Sequence, residues 1–341
     1  MVDDMNTAVQ TIRGKVLLVE CVKQYIGRGR HLFVKTNGGV RYFASVKGWK
    51  YSWTSCFSLT RRLFRADFTG LYKLSGNVLL LVAKKGLFIN NETEKRFVKC
   101  FSIPRGSRPL NICVSPAGNI FFGEYFQNEK KSAVNIYSSD DNGRTWHVIY
   151  TFPPGNINHV HGVFYDIFTN RIWVVTGDRE NECIIGYTEN EFKTFVVVFR
   201  GGQEFRTCQL FFYKDFIVFG TDSQYQQNVL KKVDRKSLKI TELQKLQGSV
   251  IKGGQVGDIA FVATTVEPSK VNTDKWAHLW ITKDGVHWEE KYKAKKDWLP
   301  AVFQFATFEF PIYYCMAELK KLLFSGRALN GHDGKAICID I

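Results

Sequence analysis

The chain has 341 residues, 45% hydrophobic and 15% aromatic, which is enough for one large β domain or two ordinary ones with a sizeable core. It holds no apolar run of about 18 residues, which excludes a membrane-spanning helix, and its first residues, MVDDMNTAVQTIRGK, lack the basic-then-apolar pattern of a secretory signal. The formal net charge of +15 points to an anionic partner such as nucleic acid, a membrane surface or an acidic polysaccharide, yet no nucleic-acid-binding motif is present and a solvated basic surface explains the charge equally well.

In chain order, GKVLLVE is the first strand-like run, and the next segments are the least regular. A turn at KTNGGVRYF offers Asn37, Gly39 and Tyr42; another at INNETEKRF offers Glu92 and Phe97. From there the pattern sharpens. RPLNICVS, NIFFGEY, AVNIYSS and TWHVIYTF read as four strands, then HVHGVFYD, RIWVVTGD, CIIGYT and KTFVVVF as four more. RTCQLFFY, FIVFGTD, NVLKKVD and KITELQ follow, then a weak SVIKGGQ with IAFVATTVEP, AHLWIT and HWEEKY. AVFQFATF, IYYCMA, KLLFSGRA and AICIDI end the chain, and GKVLLVE is a candidate to complete this last unit. Eight cysteines lie scattered, several inside apolar runs, with no CxxC pair. That favours buried free thiols and a cytoplasmic location over a disulfide framework or zinc site, with a mature secreted form as the alternative.

One turn carries most information. Ser139, Asp141, Gly143, Thr145 and Trp146 form Ser-x-Asp-x-Gly-x-Thr-Trp. The carboxylate of Asp141 can accept bonds from turn amides, Gly143 permits positive φ, and Trp146 can fold back on its sheet. Weaker copies occur at Thr188/Asn190/Thr194/Phe195 and at Thr282/Asp284/Gly285/Trp288, with poor ones near Asp234 and Asp333. The aromatic or equivalent positions recur about every 49 residues, a propeller-like period.

The turn resembles the Asp-box of the sialidase-like (BNR-repeat) β-propellers. The resemblance implies an all-β fold over residues 1–341 as a single domain, a seven-bladed propeller with six blades as the alternative count, and Asp-box turns between strands three and four. It also implies glycan substrates and a site on the face opposite those turns. The arginine motif Phe/Tyr-Arg-Ile-Pro is absent, FSIPRG around Pro104 being no match, so the sialidase arginine triad and tyrosine nucleophile do not carry over.

On that face the second strands end in Glu124, Asp178, Asp222 and Glu267. The first strands bring His159, His161, Gln203 and Arg206, with Arg65 and Arg108 near neighbouring starts, and the loops add Tyr125 and Asn228. His159, His161, Asp178, Glu124, Asp222 and Tyr125 are the catalytic candidates; Arg206, Arg108, Gln203, Asn228, Glu267 and Arg65 are candidates for holding an anionic polysaccharide or oligosaccharide. Acids at strand ends also cap turns without any chemistry. His159 and His161, two apart on a strand, share a side and suit either a divalent metal, proton transfer, or a plain hydrogen-bonded pair. Three functions stay open: glycoside hydrolase, polysaccharide lyase, or a non-catalytic lectin-like or protein-interaction propeller.

Overall fold

The computed structural model describes residues 10–91, 93–314 and 319–341. Glu92 and residues 315–317 of IYYCMA lie outside the described residues. The regular structure of the described chain is almost entirely antiparallel sheet. Four consecutive sheets are simple four-stranded meanders. The first contains Cys113–Val114, Ile120–Gly123, Val134–Ser139 and His147–Phe152, and the second His159–Asp166, Arg171–Gly177, Cys183–Thr188 and Val196–Gly201. The third contains Thr207–Phe212, Phe216–Thr221, Val229–Asp234 and Ile240–Lys245, and the fourth Ser249–Val256, Ile259–Thr265, Trp276–Thr282 and Trp288–Lys295.

Before them, two further meanders share one sheet. Lys15–Val19 through Gly39–Val46 form one, and Gly70–Lys73 through Arg96–Ser102 the other. They are joined by a parallel pairing of Ser45 with Arg96 and Val46 with Phe97.

Burial explains the strand order. Leu79–Ala83 (LLLVA) is buried at every position, as a strand covered on both faces must be. The fourth strand Trp288–Lys295 alternates instead, with Glu289, Lys291, Lys293 and Lys295 outward. Apolar clusters fill the space between successive meanders. Leu74, Leu80 and Leu87 pack with Ile120, Phe122 and Tyr137, while Trp173, Val175 and Ile185 pack with Leu210 and Phe219. Val16 and Ile26 of the first meander meet Ala336 of the last sheet, so the series closes on itself.

Closure differs from the expectation. Gln10–Arg13, not GKVLLVE, is the fourth strand of the last sheet, pairing with Lys335–Asp340. Gly14, at φ +111°, then turns the chain into Lys15–Val19, which opens the next meander. An added Cβ on Gly14 would lie 2.6 Å from Ile26, so both the turn and the close approach need glycine. The last sheet also departs from the reading AVFQFATF and IYYCMA. Ala301–Phe303 is a 3₁₀ turn, the strand is only Thr307–Glu309, and Ile312–Tyr313 pairs in parallel with Lys15–Val19. Cys21 is disulfide-bonded, which corrects the free-thiol expectation at that position; Cys56, Cys100, Cys113, Cys183, Cys208 and Cys338 are free.

The helix Ser58–Leu63 ties the ring together. Arg62, 1% exposed, pairs with Asp297 and donates from Nε to the Phe303 carbonyl at 2.8 Å.

At the turn after Val134–Ser139, Asp141 Oδ1 accepts from the Arg144 and Thr145 amides at 2.9 Å each, and Oδ2 from the Thr145 hydroxyl at 2.7 Å. These bonds hold its carboxyl down at about 2. Trp146 donates to the Gly143 carbonyl at 3.0 Å. Asp284 receives the Val286 and His287 amides at 2.8 Å in the same manner, and Asn190 the Thr194 amide at 2.9 Å.

Candidate functional site

The strand His159–Asp166 carries both histidines. Its pairing with Arg171–Gly177 slips between Val160 and Gly162, which leaves His161 as the extra residue of a bulge. A bulge re-aims one side chain, and here the His161 ring is brought to 3.0 Å from His159, Nε2 to Nε2. Gly177 makes the room, since a Cβ there would sit 2.4 Å from His161 Cε1.

The Asp178 carboxylate closes the group. Its Oδ1 lies 3.0 Å from His161 Nε2 and its Oδ2 3.3 Å from His159 Nε2. Asn158 donates to Oδ2 at 2.9 Å, and Gln203 Nε2 donates to the Asp178 backbone carbonyl at 2.7 Å.

From the next strand start, Arg206 reaches Asp178 Oδ1 at 3.1 Å and Asp222 Oδ2 at 3.5 Å. The Cys208 thiol donates to Asp222 Oδ2 at 3.4 Å, and burial beside that carboxylate raises it well above its ordinary value. Two buried polar atoms here, Arg206 Nε and Asp222 Oδ1, have no hydrogen-bond partner among the described residues. Buried polar atoms are seldom left so.

Tyr125 lies tilted against the pair, its ring 4.3 Å from that of His159 and 6.2 Å from that of His161. Burial, then the nearby thiol and carboxylates, raises its phenol, which stays neutral through the working pH range. Glu267 accepts from Gln224 at 2.6 Å; burial and the Asp222 charge raise its carboxyl to about 7. His159, His161, Asp178, Asp222, Tyr125, Arg206, Gln203 and Glu267 therefore belong to one neighbourhood.

Four other candidates do not join it. Glu124 is 1% exposed and held by Arg105, with the Asn135 amide at 2.8 Å. It anchors the loop before its own sheet. Asn228, fully buried, accepts from the Ser223 amide at 2.7 Å and donates to Asn272 at 2.9 Å, which shapes the loop after Asp222. Arg108 and Arg65 fall in a separate basic group, where Glu309 pairs with Lys15 at 2.8 Å and Arg327 at 3.1 Å. Lys252 adds to that group, and burial lowers its ammonium to about 8.

Sequence reasoning missed Cys208 and Asn158. Each had a usable signal: Cys208 is two residues beyond Arg206, and Asn158 directly precedes His159. Two metal-competent groups arise here, His159/His161/Asp178 and His161/Cys208/Asp222.

No family model and no curated protein matches this chain. Solved structures do resemble it. An oligogalacturonate lyase from Vibrio parahaemolyticus superimposes with a TM-score of 0.62 at 10% identity, covering 98% of this chain and 94% of that one. The WD40 β-propeller domain of Doa1 gives 0.58 at 10% identity over 98% and 97%. A Niastella koreensis GH74 enzyme gives 0.51 at 12% identity, covering 82% of this chain and 46% of that one. These likenesses show a β-propeller fold.

Proposed function

We propose that the chain is a seven-bladed propeller of the Asp-box kind that cleaves an acidic glycan by lyase-type elimination at the His159–Asp178–Arg206 mouth. The carrying observation is the Arg206 guanidinium in that mouth, which reaches Asp178 and Asp222 and keeps a buried Nε without a partner among the described residues. Arg206 is suited to the carboxylate of a uronate, whose planar oxygens match a guanidinium fork. Its negative charge would otherwise oppose loss of the neighbouring proton.

Glu267 and Tyr125 supply the proton transfers. Both respond to the charges of Asp178, Asp222 and Arg206, so both flank one centre. Ionised Glu267 takes the proton from the carbon bearing the carboxylate. The electrons of that C–H bond form a carbon–carbon double bond. The adjacent C–O bond to the next sugar breaks with its pair on oxygen, which takes a proton from the neutral Tyr125 phenol. The two imidazoles are 2% and 7% exposed at the side chain, so they stand behind this chemistry rather than in contact with sugar. The structural likeness to an oligogalacturonate lyase agrees with this reading and does not carry it.

The test is a panel of polyuronates and neutral polysaccharides, followed by ultraviolet absorbance of the new conjugated double bond. Hydrolase action would release reducing ends without that absorbance. A second reading, non-catalytic binding of an anionic chain, draws on a groove of about 380 Å³ lined by Lys47, Lys50, Lys84, Lys85, Arg96 and Lys99. Binding without any cleavage would favour it.

A further inference from the structure

We propose that His159, His161 and Asp178 form a binding site for one first-row divalent metal ion. The argument begins with proton positions. His159 Nδ1 lies 2.8 Å from the Phe126 carbonyl, and His161 Nδ1 lies 3.0 Å from the Thr207 carbonyl. A carbonyl only accepts, so each Nδ1 carries the proton. In the neutral form of each ring the lone pair then stands at Nε2. Those two lone pairs face each other at 3.0 Å, and both face the Asp178 carboxylate at 3.0 and 3.3 Å.

Such a convergence of acceptors is repulsive without a positive centre. Arg206 and Asn158 serve the Asp178 oxygens, but neither reaches the two facing Nε2 atoms, which could share only one proton between them. One metal ion serves all three. At bonds of about 2.1 Å, adjacent ligands at right angles stand about 3.0 Å apart, and tetrahedral ligands about 3.4 Å. The Nε2–Nε2 separation falls in that interval, and each Nε2 lies in it with respect to one of the two Asp178 oxygens, Oδ1 for His161 and Oδ2 for His159.

The surroundings match as well. Ring nitrogens that bind metal usually donate their other N–H to a carbonyl or carboxylate, which fixes the ring. Both histidines do so here, His159 on the carbonyl of Phe126 in a loop and His161 on that of Thr207 in the next sheet. Asp178 is itself steadied by Asn158 and Arg206. The bulge at His161 and the bare Gly177 admit this ring; first strands elsewhere slip in the same way, at Thr207/Leu210 and Val250/Lys252, without a histidine there. Two imidazoles with one carboxylate suit zinc, manganese, iron, cobalt or nickel rather than calcium or magnesium. Asp178 is the most open of the three, at 28%, so remaining positions on the ion face the mouth. With the ion at +2, Asp178 and Asp222 at −1 each and Arg206 at +1, the centre keeps one positive charge. That suits an anionic sugar group.

The experiment is calorimetric titration of chelator-treated protein with Zn²⁺ and with Mn²⁺, without saccharide, backed by the visible spectrum of a Co²⁺ complex. One ion per chain is expected. Asp178→Asn, which keeps the shape of the side chain, and His161→Ala should each weaken it about 100-fold or more. His278→Ala should leave it unchanged, although His278 also sits beside two acids, Asp274 and Glu290. Circular dichroism checks that each variant is folded; if His161→Ala fails to fold, Asp178→Asn decides. Absence of stoichiometric binding, or binding that survives Asp178→Asn or is lost in His278→Ala, would overturn the proposal. Because no sugar is present, such a failure leaves the glycan reading standing. Loss of cleavage with metal binding intact would count against the glycan reading alone.

Discussion

Replacing Arg206 by Ala tests whether the mouth is a coupled charge network. Its guanidinium is 12% exposed and lies between Asp178, at 3.1 Å, and Asp222, at 3.5 Å. Asp222 is only 5% exposed, and its other described partner is the Cys208 thiol. Removing one member of a buried pair leaves an uncompensated charge and costs about 3–5 kcal/mol. Asp178 is more open and keeps Asn158 and the histidines, so the lower end, about 3 kcal/mol, is the expected loss at pH 7. Urea denaturation followed by tryptophan fluorescence reads this directly. Arg206→Lys keeps the charge but not the fork and should recover part of it. The difference between parent and Arg206→Ala must also shrink in acid. A carboxylate paired with Arg206 contributes stability that is present above the unfolded carboxylate value of about 4 and is lost as the pH falls further and the charge is removed. A variant with unchanged midpoint at pH 7, or a gap that widens toward pH 3, would refute the network.

Trp146 lies against Phe122 and Phe101, with ring centroids at 5.2 and 5.7 Å, so Trp146→Ala should cost about 3 kcal/mol in thermal or urea unfolding while glycan cleavage persists. Arg62→Ala leaves Asp297 without its buried partner and frees the Phe303 carbonyl; a loss of about 3–5 kcal/mol is expected by the same assay. Glu267 has its carboxyl raised to about 7 and must be ionised to act as base, so turnover should rise as pH increases through about 7. Glu267→Gln should abolish that limb, and a rate that falls through the same range would identify Glu267 as an acid instead.

Particular residues show why some of this was legible in the sequence. The turn at Asp141 could be read because its hydrogen bonds are local: Ser139, Asp141 and Thr145 satisfy one another within seven residues. The acids at the second-strand ends could be placed because each follows directly on the end of an apolar strand-like run. Local pattern could not say which acid meets which cation. Glu124 was grouped with Asp178, yet Arg105 from the preceding loop holds it. Arg108 and Arg65 were grouped with Arg206, yet ring geometry sets them by Glu309. Closure by Gln10–Arg13 depended on a contact more than 300 residues apart, between Gln10 and Cys338. The convergence of His159 and His161 was half legible. Alternation suggested one side, but the bulge that turns His161 appears only in the pairing register.

The most direct test of the central claim follows ultraviolet absorbance during incubation of the protein with a polyuronate, its methyl-esterified form and a neutral polysaccharide of similar length. The account predicts absorbance growth with the free acid, loss of that growth in Arg206→Ala, and none with the neutral polymer. Equal action on the neutral polymer, or growth unaffected by Arg206→Ala in a folded variant, would contradict it.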